Sequence, residues 1–146
     1  MMLSVVMPAY NEAAVIADTV RALAAELDLQ DFPYEILVVD DASRDTTEAV
    51  LIELEKSHPH LRHVSNPGPH GYGCAVRHGL AQFRGDAVVI AMADGSDAPA
   101  DVVAYARLIQ QGYDCAFGMR FGPGTSVVGY PRFKRLLNRA GNRLIT

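Results

Sequence analysis

The chain has 146 residues, of which 49% are hydrophobic, and a formal net charge of −4. That length predicts one domain with enough apolar content for a real core. The longest wholly apolar stretch, Ala87–Ala93, is far too short to span a bilayer, and the N-terminus enters a strand pattern without a basic leader. Cys74 and Cys115 sit in separate segments without paired metal spacing, which fits a reduced compartment and buried thiols better than a disulfide framework. The expectation is a soluble, cytoplasmic protein with structural thiols.

In chain order, strand-like blocks occur at Leu3–Met7, Glu35–Val39, Leu61–Ser65, Ala87–Ala91 and Asp114–Gly118. Helical patterns fill the gaps. Ile16, Val20, Leu23, Ala24 and Leu27 recur at three and four residues and share one helix face. The second helix is expected to open at Asp45, with Glu48 three residues on closing a capping box. The third is expected from about Cys74 to Phe83, and the fourth from about Pro99 to Gln111 with Gly112 as its stop. Phe121–Tyr130 is rich in Gly, Pro and Ser and reads as a loop. Beyond it Phe133, Leu136, Leu137, Ala140 and Leu144 form an apolar stripe on a last helix still running when the sequence stops, which suggests a fragment of a longer protein. Alternating strands and helices with short connections give an α/β domain over residues 1–146, with a mostly parallel sheet flanked by helices.

Charge is distributed unevenly. After Asp114 there is no acidic residue, whereas Arg120, Arg132, Lys134, Arg135, Arg139 and Arg143 follow. Such a tail is either a solvated helix face or an attractor for phosphates or an anionic membrane surface. Nucleic acid is disfavoured, because the basic stretch lacks interleaved aromatic platforms and the preceding chain is acidic.

Chemistry is expected at the carboxyl ends of the strands, where open α/β sheets bind ligands. The block ending in Val39 runs into Asp40-Asp41, and the one ending in Ala91 runs into Met92-Ala93-Asp94-Gly95-Ser96-Asp97. Two adjacent carboxylates repel each other, a cost offset where a cation, a base amide or ribose hydroxyls meet them. Asp94 is the candidate metal ligand for magnesium or manganese, which prefer one or two carboxylates together with diphosphate oxygens. The first strand ends in Pro8-Ala9-Tyr10-Asn11-Glu12, where a phenol can stack on a base and a carboxylate can accept sugar hydroxyls. The competing explanation has Asn11 capping the next helix and Glu12 favouring its dipole, as Asp97 would cap the helix containing Pro99. The segment Asn66–Gly79 fails the dinucleotide fingerprint GxGxxG, because Val76 stands where the last glycine is required. Its loop can still cradle phosphate, with Arg77 as a cation. The histidines lack zinc-binding spacing and read as surface residues.

Taken in order, VVMPAYNE, VVDDASRDTTE, NPGPHGYGCAVRHGL, MADGSDAPADV and GMRFGPG resemble the family 2 glycosyltransferases of the GT-A fold, nearest the dolichyl-phosphate and polyprenyl-phosphate mannose synthases. The resemblance runs from Leu3 to the end. It implies a Rossmann-like nucleotide-sugar-binding domain in which Pro8, Tyr10, Glu12 and Asp40, with Asp41 adjoining, hold the donor nucleoside. Ala93, Asp94 and Ser96 would lie by its diphosphate and metal. Arg120 matches an arginine near the donor and acceptor phosphates, Lys134 matches a second acceptor-phosphate position, and Asn138 falls where serine is more usual. In that family's metal motif two aspartates flank one residue; here Met92 replaces the first, so the divalent cation is expected to bind weakly, to recruit Asp97 or Asp41, or to be lost. Met119 replaces the usual serine of GSR. The implied reaction is inverting transfer of a hexose from GDP-mannose or a UDP-sugar to a polyprenyl phosphate, with peripheral contact at the cytoplasmic membrane face. Transfer to a saccharide or lipid hydroxyl, with Asp97 as base, and a noncatalytic nucleotide-sugar-binding domain are the competing readings.

Overall fold

The computed structural model describes residues Met1–Gly118. Four strands, β1 (Leu3–Ala9), β2 (Tyr34–Asp40), β3 (Leu61–Ser65) and β4 (Ala87–Ile90), alternate with four helices, α1 (Ile16–Leu27), α2 (Thr47–Ser57), α3 (Tyr72–Leu80) and α4 (Pro99–Gln110). The strands form one parallel sheet in the order β3-β2-β1-β4. Met1–Ala116 form a compact unit. No helix among the described residues is long and apolar enough to cross a membrane.

The two central strands are buried along their whole length, which is why they read as unbroken aliphatic blocks. Their side chains alternate between faces: Val5, Met7, Ile36 and Val38 join the core with α1 and α4, while Val6, Leu37 and Val39 meet Ala75 of α3. All five residues expected on one face of the first helix are buried. Gly79 lets α3 lie close to the sheet, since a Cβ there would stand 2.5 Å from Val6 Cγ1 and 3.0 Å from Val39 Cγ2.

Three local expectations are corrected. Asp114–Gly118 forms no strand. The Asp45–Glu48 capping box is absent: α2 starts after Thr46 without a side-chain cap, because Asp45 accepts instead from Thr47 N (3.0 Å) and Ala13 N (3.1 Å). The third helix opens earlier, at Tyr72, with Gly71 in the left-handed region at φ +115°. Met119, Arg120, the 121–130 loop, Lys134, Asn138 and the basic, apolar-striped tail lie outside the described residues.

Candidate functional site

The parallel sheet brings the exits of β1, β2 and β4 to one edge, and side chains from the first two are stitched together. Asn11 N donates to Ser43 Oγ (2.9 Å), Arg44 N to Asn11 Oδ1 (2.7 Å), Glu12 N to Thr47 Oγ1 (2.9 Å) and Asp41 N to Ala9 O (2.9 Å). Asn11 therefore braces one loop against the other and does not cap α1, whose N-cap residue is Val15. Its φ of +56° suits asparagine. Ala42 has no such excuse: at φ +60° it holds a conformation that an L side chain adopts at a cost.

Between these loops and the start of α3 lies a cavity of about 560 Å³. Pro8, Ala9, Tyr10 and Glu12 line it from the β1 exit, and Asp41, Ala42 and Arg44 from the β2 exit. His70, Gly71 and Tyr72 close the α3 side, and Met92 adds the wall beyond β4. Tyr10 and Tyr72 are 50% and 56% exposed, so both phenol rings are open to a planar ligand.

The adjacent aspartates divide their tasks. Asp40 is buried, does not line the cavity and accepts a long bond from Ser43 N (3.4 Å). Asp41 lines it and ties down the β3–α3 loop, accepting from Asn66 Nδ2 (2.6 Å) and His70 Nδ1 (3.1 Å) at Oδ1 and from Gly71 N (2.5 Å) at Oδ2. Burial opposes ionisation of Asp41, but these donors outweigh it and hold the carboxyl below its ordinary value. Glu12 is moved the other way, first by burial and then by the negative charges of Asp94 and Asp45. The Glu12 and Asp94 carboxylates thus share one field across the ends of β1 and β4.

Asp94, Gly95 and Ser96 form an exposed turn, with Ser96 N donating to Asp94 Oδ1 (2.9 Å), while Ala93 is buried beneath them. Asp97 is not the N-cap of α4, a place taken by Ala98; its Oδ2 accepts from Met92 N (2.8 Å) and braces the turn. Asp41 and Asp97 are therefore both engaged by the protein. Among the described residues no group of three potential ligands gathers for a metal. The donor set fits a divalent cation held by the Asp94 carboxylate and completed by ligand phosphates, a habit of magnesium and manganese.

His70, Tyr72 and Arg44 were not among the residues expected at the site. The first could have been suspected only from its pairing with Asp41, which joins positions 29 apart in sequence.

The α/β sheet thus carries an acidic, aromatic cleft at its carboxyl edge, the place where open sheets of this kind bind ligands. Residues 4–145 match the glycosyl transferase family 2, and the chain belongs to that family. It is 31% identical over 141 residues to the dolichol-phosphate mannosyltransferase of Pyrococcus furiosus, covering 95% of this chain and 39% of that one. Among solved structures it resembles the M. tuberculosis glucosyl-3-phosphoglycerate synthase (30% identity, 76% of this chain and 42% of that chain, TM-score 0.62). It also resembles the mannosyltransferase PcManGT from Pyrobaculum calidifontis, solved with GDP-Man and Mn2+ (33% identity, 63% and 27%, TM-score 0.55). The fold is of the GT-A type. The chain spans about two fifths of the length of the first of these relatives.

Proposed function

We propose that the protein transfers a hexose from a nucleoside diphosphate sugar, GDP-mannose or a UDP-sugar, to a polyprenyl phosphate with inversion. The observation that carries this reading is the cavity at the β1 and β2 exits, where Tyr10, Glu12 and Asp41 meet under a second phenol, Tyr72. Tyr10 and Tyr72 stack on the base, Asp41 accepts from its edge, and Glu12 accepts from ribose hydroxyls.

In the reaction an acceptor phosphate oxygen bonds to the anomeric carbon as the bond to the donor diphosphate breaks, and the electron pair leaves with the diphosphate. The transition state is oxocarbenium-like, and its difficult element is charge growing on the leaving group. Asp94 would hold the divalent cation, magnesium or manganese, which supplies countercharge there when bound. With Met92 beside it in place of a second carboxylate, that binding is weak. A lipid phosphate is already anionic, so it needs positioning and no general base. Arg120, Lys134 and Asn138 are assigned that task by resemblance, with Arg120 also beside the donor diphosphate. Asp97 keeps the role of loop brace; it becomes the base only if the acceptor is a hydroxyl. The basic tail then faces an anionic cytoplasmic membrane surface peripherally.

The test follows release of nucleoside diphosphate by the full-length protein supplied with a nucleotide sugar and either polyprenyl phosphate or a sugar alcohol. Turnover with polyprenyl phosphate is expected. Turnover with the alcohol alone would replace the acceptor, and tight nucleotide binding without turnover on either would indicate a noncatalytic binding domain.

A further inference from the structure

We propose that His70, by occupying an acceptor position on Asp41, restricts the base edge this site can read and so selects uridine over guanosine nucleotides. This rests on the nucleotide-sugar reading above and chooses between the two donors it leaves open.

An ionised carboxylate accepts about four hydrogen bonds, two at each oxygen, and donates none. Asp41 has its carboxyl held in the ionised form and lines the cavity with its side chain only 8% exposed, so solvent does little to fill its remaining positions. Both positions on Oδ1 are taken, by Asn66 Nδ2 at 2.6 Å and His70 Nδ1 at 3.1 Å, and one on Oδ2 is taken by Gly71 N. One position is left. Uracil presents a single N–H between two carbonyls, which one position satisfies. Guanine presents two donors side by side, the ring N–H and the exocyclic amine, and a carboxylate receives that pair only with a free position on each oxygen. Here the second donor finds no acceptor position on Asp41, whose side chain is 8% exposed, and a donor left unpaired against it is costly.

His70 is the removable member of the set. Asn66 also donates to Pro69 O (2.9 Å) and accepts from Gly68 N (3.2 Å), and Gly71 is held by its backbone, so neither can be changed without disturbing the loop. The imidazole is 55% exposed and lines the cavity, with its Nε2 edge against Gly68. Removing it frees Oδ1 toward the ligand. His70 is therefore a positioning residue: it acts on the base through Asp41.

The experiment is calorimetric titration of UDP and GDP into the full-length protein and its His70→Ala and His70→Gln variants, at one fixed magnesium concentration. The wild-type protein is expected to bind UDP about tenfold more tightly than GDP. His70→Ala should move the ratio of the two affinities toward GDP by about tenfold, and His70→Gln, which restores an N–H donor, should return it toward UDP. GDP bound as tightly as UDP by the wild-type protein overturns the inference, as does a His70→Ala variant that weakens both by one common factor. Failure of either nucleotide to bind the wild-type protein would instead remove the nucleotide-sugar reading on which the inference rests.

Discussion

Asp40 and Asp41 look equivalent in sequence, and the fold separates them. Period-two alternation ends with β2, so one carboxylate is turned into the protein while its neighbour reaches the cavity. The turn that follows holds Ala42 at φ +60°, and this strain is measurable. Ala42→Gly should raise stability by about 0.5–1 kcal/mol, the relief of left-handed strain less the entropy of a glycine in the unfolded chain. Ala42→Val should lower it, both read from urea midpoints. A glycine variant less stable than wild type would show that the strain is not there. The acid dependence of stability has a residue-scale source in Glu35, buried at the opposite end of the sheet. Burial opposes its ionisation, but Ser4 Oγ (2.6 Å), Arg84 N (2.6 Å) and Arg62 Nη2 (3.4 Å) donate to it and hold the carboxyl below its usual value. A lowered acid stabilises fully above its unfolded value, near 4.5, and that contribution is lost as pH falls through the folded value. Urea midpoints should therefore drop below about pH 4.5. Glu35→Gln should cost about 2 kcal/mol at pH 7 and flatten the acid limb, since it removes charge from a bonded buried acceptor.

At the scale of elements, the helices were legible because each buries one periodic face, and the central strands because both of their faces are buried. Ile16, Val20, Leu23, Ala24 and Leu27 were readable at helical spacing, and Val5 to Met7 and Ile36 to Val39 as aliphatic runs. The loops were legible only as places. That Asp45 serves Ala13 rather than a capping box, and that Asn11 braces Ser43 and Arg44 rather than α1, depends on which loops the sheet order brings together. Those partners lie about thirty residues apart, beyond any local pattern. The stitching predicts that Asn11→Ala, which loses the side-chain acceptor for Arg44 N and a residue tolerant of positive φ, costs about 1–2 kcal/mol and weakens nucleotide binding along with stability. Retention of full affinity at wild-type stability would remove the brace from the account. Against α3, Gly79→Ala should cost about 1–3 kcal/mol in urea unfolding, because the added methyl meets Val6 and Val39 in a close-packed layer. An unchanged midpoint would mean that α3 can move away from the sheet at no cost.

For the whole molecule, the parallel order β3-β2-β1-β4 does the functional work, since it gathers the exits of strands far apart in sequence at one carboxyl edge. Helices on both faces bury the sheet, and the ligand chemistry is left to that edge. The recurrence of acids after two aliphatic blocks was enough to foresee the edge, but not the share taken by His70 and Tyr72 from the α3 side. The central claim is that this edge is a nucleotide cleft with a stacking aromatic wall. Titration of UDP into the full-length protein and its Tyr10→Ala variant tests it most directly. Saturable binding weakened about tenfold or more by the variant is predicted, in line with the loss of one base–aromatic stack. Binding unaffected by Tyr10→Ala, or no binding by the wild-type protein, would contradict it.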